Sequence, residues 1–129
     1  MSANARILVV DDERAVREAV VDFLEDEGYA VASAACGADA LELARAERFV
    51  LCILDLRMPG MSGTELALEL RALSPATPLL IITGSPDFVP GRSLRAVGIG
   101  PDDTLVKPYE LATLAEKVRR RIGGAEGAR

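Results

Sequence analysis

The chain contains no histidine and no tryptophan, and only three phenylalanines, two tyrosines and two cysteines. The missing histidine excludes the most. Without an imidazole there is no Ser-His-Asp or Cys-His catalysis, no histidine zinc ligand and no phosphohistidine carried by this chain. Any phosphohistidine must come from elsewhere. The two cysteines, Cys36 and Cys52, fall outside any metal-ligand spacing, and both are expected to be buried free thiols. No apolar run approaches the roughly 18 residues that a membrane-spanning helix requires. The start, Met1 to Arg6, leads into only four apolar residues before two aspartates, so no signal peptide is visible and a cytoplasmic location is expected. Basic residues are scattered and the net charge is -5, which argues against a nucleic-acid surface. Only Arg119-Arg120-Arg121 forms a basic cluster, expected to be a solvated last helical turn that complements the helix dipole.

What is present is a regular alternation. With 129 residues and half of them apolar, the chain suffices for one domain with a full core. Short apolar runs predict strands near 6–10, 29–34, 50–54, 78–82 and 104–106. Helical periodicity fills the intervals at 13–27, 38–47, 63–73 and 109–122, with a poorly formed helix within 86–97. That order implies an α/β fold whose parallel sheet is covered on both faces. Val16, Val20, Phe23 and Leu24 share a face of the first helix, and Leu66, Leu70 and Leu73 a face of the third, which Ser62-Gly63-Thr64-Glu65 opens with a capping-box pattern. Leu111, Leu114, Ala115, Val118 and Ile122 mark the buried stripe of the last helix. Pro90-Gly91 should interrupt the fourth helix, which can restart near Ser93. Residues 5–122 form the expected domain, and the Gly-rich stretch 123–129 reads as a tail or the start of a linker.

Four of the apolar runs end on residues that carry chemistry. Asp11-Asp12 follow Ile7-Leu8-Val9-Val10, Asp55 follows Val50 to Leu54, Thr83 follows Leu79 to Ile82, and Lys107 follows Leu105-Val106. Open parallel sheets place ligand sites at these carboxyl ends. In a sheet ordered 2-1-3-4-5 the first and third strands are neighbours, so Asp11, Asp12 and Asp55 converge. Three crowded carboxylates need a counter-charge, and hard oxygen ligands favour magnesium over zinc. Lys107 is a point-charge partner for Asp55 or for a phosphoryl oxygen, and Thr83 offers a hydroxyl to the same oxygens. Such a set is suited to phosphoryl transfer onto Asp55.

The sequence resembles the receiver domains of two-component response regulators, of the chemotaxis-regulator type, over roughly residues 5–122. The resemblance is carried by Val9-Val10-Asp11-Asp12-Glu13, by Leu54-Asp55-Leu56-Arg57-Met58-Pro59-Gly60-Met61-Ser62-Gly63, by Ile82-Thr83-Gly84 and by Val106-Lys107-Pro108. It implies a flavodoxin-like, doubly wound sheet of five strands with five helices. By that resemblance Asp55 is the phospho-acceptor, Asp12 a direct ligand of Mg2+ (or Mn2+), Asp11 a ligand chiefly through water, and the Arg57 main-chain carbonyl the third protein ligand. Thr83, Gly84 and Lys107 would surround the phosphoryl group, and the Lys107-Pro108 bond is similar to one that is cis in the family. The implied partners are a histidine kinase or histidine phosphotransfer protein and a downstream protein or output domain, with the chain a monomer or a weak phosphorylation-dependent dimer. No direct nucleic-acid or membrane partner is implied.

Two features depart from that pattern. Thr104 stands where the family usually has an aromatic residue, and the fourth helix is broken, so the reporting step is expected in the 84–100 segment. Met58 and Met61 are expected to pack in loop and core. A docking or dimerisation module that is never phosphorylated is one competing function. A magnesium phosphohydrolase is another, disfavoured because Arg57, Glu13 and Arg14 occupy the positions where a second aspartate would serve as acid/base.

Overall fold

The computed structural model describes residues 6–56 and 62–126. Five strands form one parallel sheet: β1 Arg6–Val10, β2 Ala30–Ala34, β3 Phe49–Asp55, β4 Leu79–Thr83 and β5 Thr104–Val106, in the order β2-β1-β3-β4-β5. The connecting helices are α1 Arg14–Asp26, α2 Gly37–Ala46, α3 Gly63–Leu73, α4 Arg92–Ala96 and α5 Leu111–Glu126, with a 3-10 turn at Pro101–Asp103.

Because successive strand residues point to opposite faces, the strands feed two cores. Ile7, Val9, Leu51, Ile53, Leu80, Ile82 and Leu105 pack with Val20 and Leu24 of α1 and with Leu114, Val118 and Ile122 of α5. Leu8, Val10, Cys52, Leu54, Leu79 and Ile81 pack on the other side with residues of α2, α3 and α4. Burial pushes the Cys52 thiol up to about 12, so it behaves as a small apolar side chain.

The start of α3 is capped as its sequence indicates. Ser62 Oγ accepts from the Glu65 amide at 3.0 Å and Glu65 Oε1 accepts from the Ser62 amide at 3.1 Å, satisfying two donors at the helix start. Gly63 N donates to Leu56 O at 3.2 Å. A Cβ on Gly63 would overlap the Leu56 backbone, so this close approach requires glycine.

The weak fourth helix is real. After Pro90-Gly91 only five residues are helical, and the preceding residues 84–91 form no helix. Leu94 and Ile99 nevertheless anchor the segment in the core.

Several expectations need correction. Leu73 and Leu111 are 43% and 51% exposed rather than buried, since each is a terminal residue of its helix, where periodicity cannot tell whether a neighbour still covers it. Val16 and Phe23 lie half-buried at the margins of the α1 face. Cys36 is only half-buried, because it is the extended residue that precedes α2. The last helix begins at Leu111, not 109, and continues through Gly123 and Gly124 to Glu126.

Arg121 is not a solvated residue. With 11% of its side chain exposed, it donates to Asp103 Oδ1 at 2.9 Å and to the Asp102 main-chain oxygen, where Lys117 Nζ also donates at 3.3 Å. These bonds fasten the 3-10 turn to α5. Among the described residues no helix is long and apolar enough to cross a membrane.

Candidate functional site

Strand register places the site. Val10 pairs with Leu54, Asp55 with Ile82 and Thr83 with Val106, so Asp11, Asp55, Thr83 and Lys107 stand along the carboxyl edge of four adjacent strands. Asp11, Asp55 and Lys107 also continue the alternation of the α1/α5 face, which brings their side chains to one side of the edge. Two strand spacings, about 10 Å, separate β3 from β5. The lysine stem is long enough to cross over the end of β4, and Lys107 Nζ donates to Asp55 Oδ2 at 2.7 Å.

The open cleft above this pair has a volume of about 470 Å³ and is lined by Asp12, Glu13, Asp55, Gly84 and Lys107. Asp11 and Thr83, which do not line it, are as buried as Asp55. Thr83 Oγ1 accepts from the Ser85 amide at 3.1 Å, and Thr83 O accepts from the Lys107 amide at 2.8 Å. A Cβ at Gly84 would meet nothing within 4 Å, which is open space on the cleft side of Thr83. The Lys107-Pro108 peptide is cis. Thr104 Oγ1 donates to Pro101 O at 2.7 Å, closing the turn before β5.

Neither aspartate of the first loop caps α1. The N-cap is Glu13, without a side-chain cap bond. Asp11 Oδ1 instead accepts from the Glu13 amide at 2.9 Å. Its carboxyl is held above the ordinary carboxylate range: burial is the main cause, the charges of Asp55 and Asp12 add to it, and the Glu13 amide and Lys107 oppose it. Burial by itself draws the Lys107 ammonium down. The Asp55 hydrogen bond and the charges of Asp55 and Asp11 outweigh it, so its pKa stands above the ordinary value.

These acids have more negative charge than Lys107 balances, and all their donors are hard oxygens, so the set fits a divalent cation such as magnesium. Among the described residues no group of three acidic or thiol side chains forms a ready-made cage. A cation that retains several waters suits that arrangement better than one that demands an all-protein shell. Arg57, expected to add a main-chain carbonyl, lies outside the described residues, as do Met58, Pro59, Gly60 and Met61.

Glu13, named from sequence as the end of the first acidic motif, also lines the cleft. Two further residues at the site were not singled out from sequence. Arg17 donates from Nη1 to Asp11 O at 2.9 Å, reaching back from the first turn of α1. Tyr109, two residues after Lys107, packs on the α1/α5 core, and its phenol is raised mainly by burial, with Lys107 opposing and Asp11 and Asp55 adding.

A family model described as the response regulator receiver domain matches residues 7–119. Response regulator MprA of Mycolicibacterium vanbaalenii is 39% identical over 126 residues, covering 95% of this chain and 54% of that protein. The chain thus spans about half the length of the curated relatives it matches. Among solved structures, a CheY-like response regulator receiver domain protein from Methanospirillum hungatei superposes with a TM-score of 0.82 at 30% identity, covering 97% of this chain and 98% of that one. The response regulator protein TrrA from Thermotoga maritima, solved in complex with Mg2+-BeF, gives a TM-score of 0.80 at 34% identity over 91% of this chain and 98% of that one. With the sheet order, the cleft and the match over nearly the whole domain in agreement, the chain belongs to the response regulator receiver domain family of two-component signalling.

Proposed function

We propose that this receiver accepts a phosphoryl group on Asp55 from the phosphohistidine of a cytoplasmic kinase or phosphotransfer protein, and signals the change by protein contact. The observation that carries the reading is the Lys107-Asp55 pair at 2.7 Å beneath an open cleft that Asp12 and Gly84 also line. An Asp55 carboxylate oxygen attacks phosphorus as the phosphorus-nitrogen bond breaks and the imidazole leaves with the electron pair. Lys107 holds a positive charge beside the phosphoryl oxygens, and the space at Gly84 admits them. Thr83 serves as a hydroxyl donor to the same oxygens, since the Ser85 amide occupies only an acceptor lone pair of its Oγ1. Asp11, Asp12, Asp55 and the Arg57 carbonyl would hold magnesium, which supplies the positive charge that the acids and the incoming phosphoryl group share. A related receiver bound to Mg2+-BeF supports that assignment. The domain proper is taken as 5–122, and the chain acts as a monomer or a weak dimer.

The reporting step is assigned to 84–100. Thr104 has no ring to swing, and the 3-10 turn beside it is fastened to α5 through Arg121, whereas residues 84–91 have no regular structure.

The test is to incubate the protein with magnesium and acetyl phosphate, or with beryllofluoride, and to compare wild type with Asp55→Asn by intact mass and by amide spectra. An adduct in wild type and none in the variant is expected. A wild type that acquires no Asp55-dependent adduct would instead identify a docking module that keeps the fold without the chemistry.

A further inference from the structure

We infer that Arg17 is a positioning residue for the acidic loop: by donating to the Asp11 main-chain oxygen it fixes the Asp11-Asp12 peptide and thereby aims the Asp12 carboxylate into the cleft. This rests on the reading of Asp11 and Asp12 as cation ligands. The loop lies between β1, which ends at Val10, and α1, which begins at Arg14, so beyond the Asp11 amide neither strand nor helix holds it. Asp11 is tied at three atoms. Its amide donates to Ala34 O at 3.2 Å, its Oδ1 accepts from the Glu13 amide at 2.9 Å, and its main-chain oxygen accepts from Arg17 Nη1 at 2.9 Å.

Asp12 is different. It is exposed, lines the cleft, and has no hydrogen bond or ion pair of its own among the described residues. Its direction is therefore inherited from the two peptide planes that flank it. The Glu13 amide sets one of them and Arg17 sets the other. Arg17 is placed to do so because its own amide donates to Glu13 O at 2.9 Å, in the first turn of α1, and helical side chains lean toward the N-terminus. Without the guanidinium the Asp11 carbonyl loses its partner, and the Asp11-Asp12 peptide is free to rotate toward water.

Charge and position predict opposite signs. Arg17 is a cation near a cation site, so deleting its charge should by Coulomb repulsion alone tighten magnesium binding. Loss of alignment should weaken it, as loss of the partners that orient metal ligands does in general.

The experiment is a calorimetric titration of the full chain with Mg2+ alone, for wild type, Arg17→Met, Arg17→Lys and Arg17→Gln, with thermal melts alongside. Weakening of about tenfold is expected for Arg17→Met, with partial recovery in Arg17→Lys, which retains a donor able to reach the carbonyl. At saturating magnesium the beryllofluoride adduct should form to the wild-type extent. Equal or tighter magnesium binding by Arg17→Met overturns the inference. If Arg17→Met melts below the titration temperature, the comparison passes to the other two: Lys binding tighter than Gln supports positioning, and Lys no better than Gln overturns it. A wild type whose magnesium affinity is unchanged by Asp12→Asn would overturn the ligand reading itself, whereas failure of the Arg17 comparison leaves that reading standing.

Discussion

Replacing Lys107 with methionine keeps most of the aliphatic stem and deletes the charge that pairs with Asp55, so it tests the electrostatics on which the site depends. The ammonium stands 2.7 Å from Asp55 Oδ2, and unit charges about 4 Å apart near a protein surface attract by on the order of 4 kcal/mol. Since 32% of the Lys107 side chain remains exposed, water screens part of that attraction. A net cost of about 2 kcal/mol is expected, the range for hydrogen bonds to charged groups. For a domain of this size that corresponds to a fall in Tm of roughly 6–10 °C. Urea unfolding in chelator, with Asp55→Asn and the double variant completing a cycle, should return a coupling of about 2 kcal/mol. Asp55→Asn alone should cost less than Lys107→Met, because it also relieves the crowded acids. Added magnesium should restore Lys107→Met by more than it stabilises wild type, since the uncompensated carboxylates attract the cation harder. A Lys107→Met variant within about 0.5 kcal/mol of wild type, the range of an ordinary surface substitution, or a coupling near zero, would refute the reasoning.

Two further outcomes follow from the geometry. The folded, metal-free protein holds the Asp11 proton more tightly than an unfolded chain, whose carboxyl titrates near 3.8. The folded state therefore binds more protons between 3.8 and the raised value, and that contribution is lost as pH rises through the raised value. Asp11→Asn, which keeps the acceptor for the Glu13 amide, should gain stability relative to wild type as pH rises from 4 toward 7 in chelator. Denaturation series showing a flat difference across that range would contradict the assignment. Gly63→Ala should cost about 2–3 kcal/mol, since its methyl meets backbone rather than a side chain that can move aside. Gly84→Ala, with nothing near its Cβ, should unfold within about 0.5 kcal/mol of wild type. Equal melting temperatures for the two variants would disprove that contrast.

Much of this protein was legible from local sequence. The alternation of apolar runs with helical periodicity specified five strands and five helices, because burial on two faces of a parallel sheet leaves a signature in each segment. The Pro90-Gly91 break was readable for the same local reason, since proline removes a donor from its own helix wherever the segment docks. The acids, Thr83 and Lys107 were visible as strand-end residues, and the absence of histidine had already removed most competing chemistry.

Tertiary structure decided what depends on distance across the chain. Lys107 and Asp55 are separated by 52 positions, and only the register of β3, β4 and β5 brings them into contact. Arg121 looked like one of three solvated arginines, because nothing local shows that Asp102 and Asp103 lie against α5. Leu73 and Leu111 kept the helical period yet emerged exposed, because periodicity reports a face and not what covers it. Arg17 carried no signal in the sequence at all: its hydrogen bond is to a main-chain oxygen, and every residue has one.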